Sequence, residues 1–179
     1  MGEAGVGGLT ISEIARRMGV RGPSLYKYFD SLHAVYDQLF HRGLAAQMAA
    51  VDQAVAPKHR GLDRLRAGMN AVVEWAVGNP PLAQLLFWRV VPGFEPSPRT
   101  FETSIEDMAS VRHELVAAVD AGQLSAAADS DQALRLLTVL MSGLISQQLA
   151  NEPGTSFETG RFSSLTDEAF DCFVNHYRP

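Results

Sequence analysis

Apolar residues recur along this chain at intervals of three and four, the spacing of a helix with one buried face, and no stretch alternates residue by residue as a half-buried strand would. The first eight residues hold four glycines and no apolar period, which predicts a flexible lead-in with structure starting at Thr10. From Thr10 onward, Ile11, Ile14, Ala15 and Met18 mark a short helix with Arg16 and Arg17 turned outward. Thr10 and Glu13 have the spacing of a capping box, and Gly19 stops the helix. A second short helix is predicted from Pro23 to Phe29, and Asp30-Ser31 offers a cap for a long amphipathic helix over 32–55. Further helices are predicted at 61–78, 82–91, 100–121, 129–150 and 165–177, separated by Ala56-Pro57, Asn79-Pro80-Pro81, a proline-rich loop at 92–98, Gly122 and a Gly/Pro/Ser loop at 151–164. The fold class is therefore all-α: a small helix-turn-helix head at 1–43 and a larger helical body at 44–179.

The segment Leu9–Phe29 has the lengths and the Gly-Val turn of a helix-turn-helix, whose second helix enters the major groove of DNA. Ala15 suits the place where the two helices cross, and Ile14, Val20, Leu25 and Phe29 supply an apolar wedge beneath them. With Leu25 and Phe29 on the buried side, Tyr26 is left facing outward. Arg16 and Arg17 read first as a solvated helix face.

Composition narrows the partners. The net charge is −5, yet residues 1–43 carry Arg16, Arg17, Arg21, Lys27 and Arg42 against Glu3, Glu13, Asp30 and Asp37, so the head is slightly positive and the body acidic. Contact with phosphate is thus expected at one end only. A single cysteine, Cys172, excludes an intrachain disulfide and multi-cysteine zinc sites. No unbroken apolar run approaches the roughly 18 residues of a membrane span, and the opening lacks the pattern of a signal peptide. The expected setting is the cytoplasm, with no membrane partner. His33, His41, His59, His113 and His176 show no metal pairing, and no nucleophile-elbow, phosphate-loop or dinucleotide motif is present, so neither an enzyme nor a cofactor is expected.

The joint pattern Leu9-Thr10, Ile14-Ala15, Gly19-Val20, Leu25-Tyr26 and Tyr28-Phe29 resembles the DNA-binding signature of the TetR family of bacterial repressors. Trp75, Asn79-Pro80 and Leu85-Leu86-Phe87 are similar to a ligand-domain subgroup of that family. The resemblance implies that Thr10 caps a helix whose start faces a phosphate, and that Tyr26 and Tyr28 meet the sugar-phosphate backbone. It places Arg21, Gly22, Pro23, Ser24 and Lys27 at base edges or nearby phosphates, with Arg21 and Lys27 able to address guanine and Pro23 a thymine methyl. It also implies a full helix ahead of Thr10, where only eight Gly-rich residues stand, so the head is expected to be incomplete at its start. Leu32 occupies a position where the family usually carries a phosphate-anchoring lysine, a difference worth about one unit of salt slope.

Two helices of such a regulator pair with those of a second copy, and Leu137, Leu140, Met141, Leu144, Phe170, Phe173 and Val174 are the expected dimer interface. Met69, Trp75, Leu86, Phe87, Trp88, Phe94, Phe101, Met108 and His113 are the expected lining of a pocket for an apolar or aromatic inducer. The expected partners are thus a double-stranded operator, a small molecule and a second copy of the chain. A helical dimer that binds a small molecule or partner without binding DNA is the alternative left open.

Overall fold

The computed structural model describes residues 6–179, and its described residues contain eight α-helices and no strand. They are α1 (Ile11–Arg17), α2 (Gly22–Leu25), α3 (Leu32–Val55), α4 (Leu62–Gly78), α5 (Pro80–Phe87), α6 (Pro98–Asp120), α7 (Asp131–Asn151) and α8 (Thr166–His176). The chain divides into two compact units, one of residues up to 45 with 81–102, the other of 46–80 with 103–179. A cut at 43/44 follows chain order, whereas packing places the segment 81–102 with the first unit. The helices α3 and α6 contribute residues to both units.

In the first unit the Gly-rich start is only partly the lead-in expected of it. Residues 1–5 lie outside the described residues, but Val6–Gly8 form a turn of 3-10 helix. Val6 is buried with Tyr36, Leu85 and Val91, and the Tyr36 hydroxyl donates to the Val6 carbonyl at 2.6 Å. One apolar side chain and one carbonyl with a buried donor are enough to anchor a segment whose composition argued for freedom. Leu32 packs against this same cluster, turned toward the core and not toward solvent. The start of α3 is capped by Ser31, whose Oγ accepts from the Ala34 amide at 3.1 Å. Asp37 on α3 accepts the Ser97 amide at 2.7 Å and so holds the chain entering α6.

The second unit is built on α4, α7 and α8, which pack mutually. Phe170 and Phe173 of α8 are almost wholly buried with Leu65, Met69, Leu115, Leu137 and Tyr177. Burying each such ring contributes about 2 to 3 kcal/mol. Arg66 of α4 reaches across to Asp167 and Asp171 and lies 4.7 Å above the Phe170 ring, tying the outer edge of the same contact. The loop after α7 is held by a buried amide. Gln148 Oε1 accepts from the Phe162 and Ser163 amides, both at 3.1 Å, and its Nε2 donates to the Glu152 carbonyl at 3.1 Å. A Cβ on Gly160 would stand 2.4 Å from that oxygen, which is why a glycine sits there.

By length and composition α7 is apolar enough to cross a membrane, although polar residues such as Arg135, Ser142 and Gln148 break it into shorter runs. Here its residues Ala133, Leu137 and Ile145 are buried within the second unit.

Candidate functional sites

The first site is the surface of the first unit around α1 and α2. Thr10 is the N-cap of α1: its side chain accepts the Glu13 amide at 3.1 Å. Only half of a capping box forms, because the Glu13 carboxylate turns instead to Arg16 and Arg17, each at 2.7 Å. The two guanidiniums hold this exposed carboxyl well below its usual range, at about 2, with the hydrogen bond from Arg16 as the largest cause and that from Arg17 next. Arg21 and Lys27 are exposed and have no acidic partner among the described residues. The positive charge open to an anion is thus concentrated around α2.

A single turn of helix forms here. α2 ends at Leu25, and Tyr28 and Phe29 both donate back to the Leu25 carbonyl at 2.9 Å, so the predicted helix over 23–29 is a helical turn followed by hydrogen-bonded turns. Leu25 and Ala15 are buried where α1 and α2 pack, Ile14 and Phe29 partly so. Val20, expected in the wedge, is 42% exposed, and Met18 is also outside. Gly19 explains Val20: its φ of 68° turns the chain away from the helix crossing before Val20 is reached. Tyr26 and Tyr28 are 56% and 80% exposed. Large rings left in water beside two unpaired cations, with Thr10 and Pro23 also exposed and Ser24 partly so, make a surface suited to a polyanion. Gly22 opens α2 and lets its backbone start directly after Arg21.

The second site is a cavity of about 430 Å³ within the second unit, between the C-terminal part of α3, α4, α6 and α7. Met48, Met69, Met108 and Met141 line it together with Val51, Val55 and Leu137. Of the nine residues expected in a pocket, Met69, Met108 and His113 are here. The others serve elsewhere. Phe94 is the centre of an aromatic cluster in the first unit, with rings of Tyr36, His33 and Phe40 at 5.8, 6.0 and 6.4 Å. Phe87 and Trp88 stack edge to face at 6.1 Å in that unit, and Leu86 abuts Gly43, where a Cβ would stand 2.9 Å from it. Phe101 is 57% exposed on α6, and Trp75 lines a separate open groove beside the 154–158 loop. Aromatic content marked core as readily as pocket.

Sequence reasoning missed the cavity's polar residues Gln47, Asp52 and Asp107. The available signal was a polar residue inside an apolar stripe, Gln47 and Asp52 among Met48, Val51 and Val55 on α3, and Asp107 beside Met108 on α6. Burial among apolar neighbours, and secondarily the charge of Asp52, pushes the Asp107 carboxyl above its usual range.

The third surface is the outer side of α7 and α8. Phe170, Phe173 and Leu137 are buried inside their own chain, and Leu137 and Met141 line the cavity, so these four have other work than a subunit contact. Leu140, Leu144 and Val174 are partly exposed, and Val139, not expected, is largely so. Of the seven residues expected at a subunit contact, Leu140, Leu144 and Val174 thus remain available, because an apolar helix with two buried faces looks in sequence like one that reserves a face for a partner. Among the described residues no group of three or more His, Cys, Asp or Glu stands together to hold a metal ion, and Cys172 is a free, exposed thiol.

An all-helical chain carrying a helix-turn-helix with its aromatic and basic residues outward, joined to a helical bundle around a cavity, has the build of a bacterial transcriptional regulator. Residues 1–39 match the family of bacterial regulatory proteins, tetR family, and residues 65–171 match the tetracyclin repressor-like C-terminal domain. The chain belongs to the tetR family of transcriptional regulators. An uncharacterized HTH-type transcriptional regulator of Bacillus subtilis (strain 168), YobS, is 30% identical over 78 residues, which span 44% of this chain and 40% of that relative's length. The fold is shared with the TetR family transcriptional regulator PfmR of Thermus thermophilus, with a TM-score of 0.76, 17% identity, and coverage of 97% of this chain and 92% of that one. It is shared too with the transcriptional regulator FadR of Bacillus subtilis in complex with stearoyl-CoA, with a TM-score of 0.79, 15% identity, and coverage of 96% and 90%.

Proposed function

We propose that this chain is a cytoplasmic, non-enzymatic repressor that binds a double-stranded operator through its head at 1–43 and leaves it when a small, largely apolar ligand enters the body at 44–179. The observation that carries this reading is the pair of exposed rings, Tyr26 and Tyr28, beside the unpaired cations Arg21 and Lys27. Thr10, Gly22, Pro23 and Ser24 complete the face, with the amide-rich start of α1 toward a phosphate. The cavity at Met69, Met108 and Met141 supports a ligand, as does the fold shared with FadR, a protein in complex with stearoyl-CoA. A ligand acts here by binding more tightly to the form that misfits DNA, since only differential affinity shifts the balance. The helices α3 and α6, which run through both compact units, are the natural carriers of that coupling. A palindromic operator requires two heads, which supports a homodimer formed over Val139, Leu140, Leu144 and Val174.

The test is a mobility-shift titration on the promoter beside the chain's own gene. Affinity that falls steeply with salt supports the reading. Absence of a shift under conditions where small molecules still bind favours the alternative, a helical ligand-binding dimer without DNA competence.

A further inference from the structure

Most polar groups around the cavity are already engaged within the protein. The Glu114 carboxylate takes Arg60 at 3.3 Å, Arg64 at 3.4 Å and the Gly61 amide at 2.8 Å. Thr138 and Ser110 donate their hydroxyls to the carbonyls of Leu134 and Glu106 on their own helices. Four lining side chains stand apart, the His113 imidazole, Gln47, Asp52 and Asp107. Gln47 is only 5% exposed, yet its amide has no hydrogen-bond partner among the described residues. Asp52 and Asp107 line the same cavity with neither an ion pair nor a hydrogen bond among those residues. The unpartnered Gln47 amide therefore opens onto the cavity and can hydrogen-bond a guest there, and the half-buried Asp107 and exposed Asp52 carboxylates make this side of the cavity negative.

We propose that the cavity takes a monocationic amphiphile, an amine or ammonium carried on an apolar body, with its cation between Asp52 and Asp107, its polar head within reach of the Gln47 amide, and its apolar part along the methionines. This rests on the reading of the cavity as the ligand site and adds the ligand's charge. An ammonium offers N–H donors to both carboxylates and removes their mutual repulsion. The raised affinity of Asp107 for its proton fits this, since the same desolvation that disfavours a lone carboxylate strengthens its pairing with a cation. Met48, Met69, Met108 and Met141 give polarisable, adaptable walls for an alkyl or aryl body. Arg60 and Arg64 are both engaged by Glu114, so an anionic head would compete with that carboxylate for them and would face Asp52 and Asp107 as well.

The experiment is isothermal titration of the full chain with three probes of one shape, 4-phenylbutylamine, 4-phenylbutanol and 4-phenylbutyrate. The amine is expected to bind about tenfold or more tighter than the alcohol, and the carboxylate weakest of all. In Asp107→Asn and in Asp52→Asn the ratio of amine to alcohol affinity falls about tenfold. Asp52 is exposed, so its variant preserves the test should the Asp107 variant fold poorly. Equal affinities for the three probes, or preference for the carboxylate, overturn the cation assignment while leaving a ligand site in place. Uptake of none of them at about 1 mM overturns the assignment as well, and DNA binding measured on the same sample shows whether the regulatory reading falls with it.

Discussion

The head and the body of this protein invert each other's chemistry. Around α2, rings that would be at home in a core, Tyr26 and Tyr28, stand in water over a wedge of Ala15 and Leu25. In the body, the buried Gln47 and the half-buried Asp107, with the exposed Asp52 beside them, line a cavity walled by methionines and valines. On the function proposed above, each arrangement is completed by a ligand, DNA phosphate at the exposed rings and cations and a cationic group at the two acids. Function is therefore to be sought among apolar surfaces left outside in one region and the polar lining of a cavity in the other.

This contrast can be broken from its structural end first. Phe170→Ala removes a ring that is buried against α4 and α7, and a loss of about 3 to 5 kcal/mol is expected in urea unfolding. Gln148→Ala strands the Phe162 and Ser163 amides and the Glu152 carbonyl, and should cost about 2 to 3 kcal/mol in the same measurement. Neither change touches α1 or α2, so DNA affinity per folded molecule is expected to stay constant. Ala15→Leu forces the two short helices apart; a cost of about 1 to 3 kcal/mol is expected, and here DNA binding falls with it. Thr10→Ala deletes the cap of α1 for about 1 kcal/mol, read by thermal melting and by a weaker mobility shift.

The smallest effect concerns pH. The Asp107 carboxyl has a raised folded-state pKa, so between the ordinary aspartate range and that raised value the folded chain holds more protons than the unfolded one. Stability contributed by the protonated acid is present at low pH and is lost as pH rises through this window. Asp107→Asn should abolish that part of the slope and leave the apo protein more stable at neutral pH. A matching gain in stability and loss of amine preference in one variant would mark the residue as held for its ligand.

Much of this was legible in the residues themselves. The bounds of α3, the cap at Ser31, the stop at Gly19 and the breaks at Asn79 and Gly122 are local chemistry, and local chemistry is written in adjacent positions. The prolines at 80 and 81 do close α4, and with Pro98 they also sit in the first turns of the helices that follow, where a missing amide hydrogen has no consequence. Val6 and Gln148 were not legible, because each is fixed by partners far along the chain, Tyr36 for the one and the 162–163 amides for the other. The cavity lay between these extremes. Met69, Met108 and His113 were recognisable as lining, whereas Met48 and Met141 were not, and Phe94, Phe87 and Trp88 were expected there but pack in the first unit. What separates lining from core is the unpaired polar neighbour, and that is visible only once distant helices are brought together.

The claim on which the functional account stands is that α2 and its flanking turns meet DNA, Arg21 at the bases and Tyr26 at the backbone. Quantitative mobility shifts on the chain's own promoter and on a shuffled sequence of the same length separate the two roles. Tyr26→Phe should weaken both complexes alike by about 0.5 to 1.5 kcal/mol. Arg21→Ala should instead narrow the gap between them by about 1 to 3 kcal/mol. Equal losses on both sequences for Arg21→Ala would contradict its assignment as a reader of bases, and full affinity in both variants would contradict the account itself.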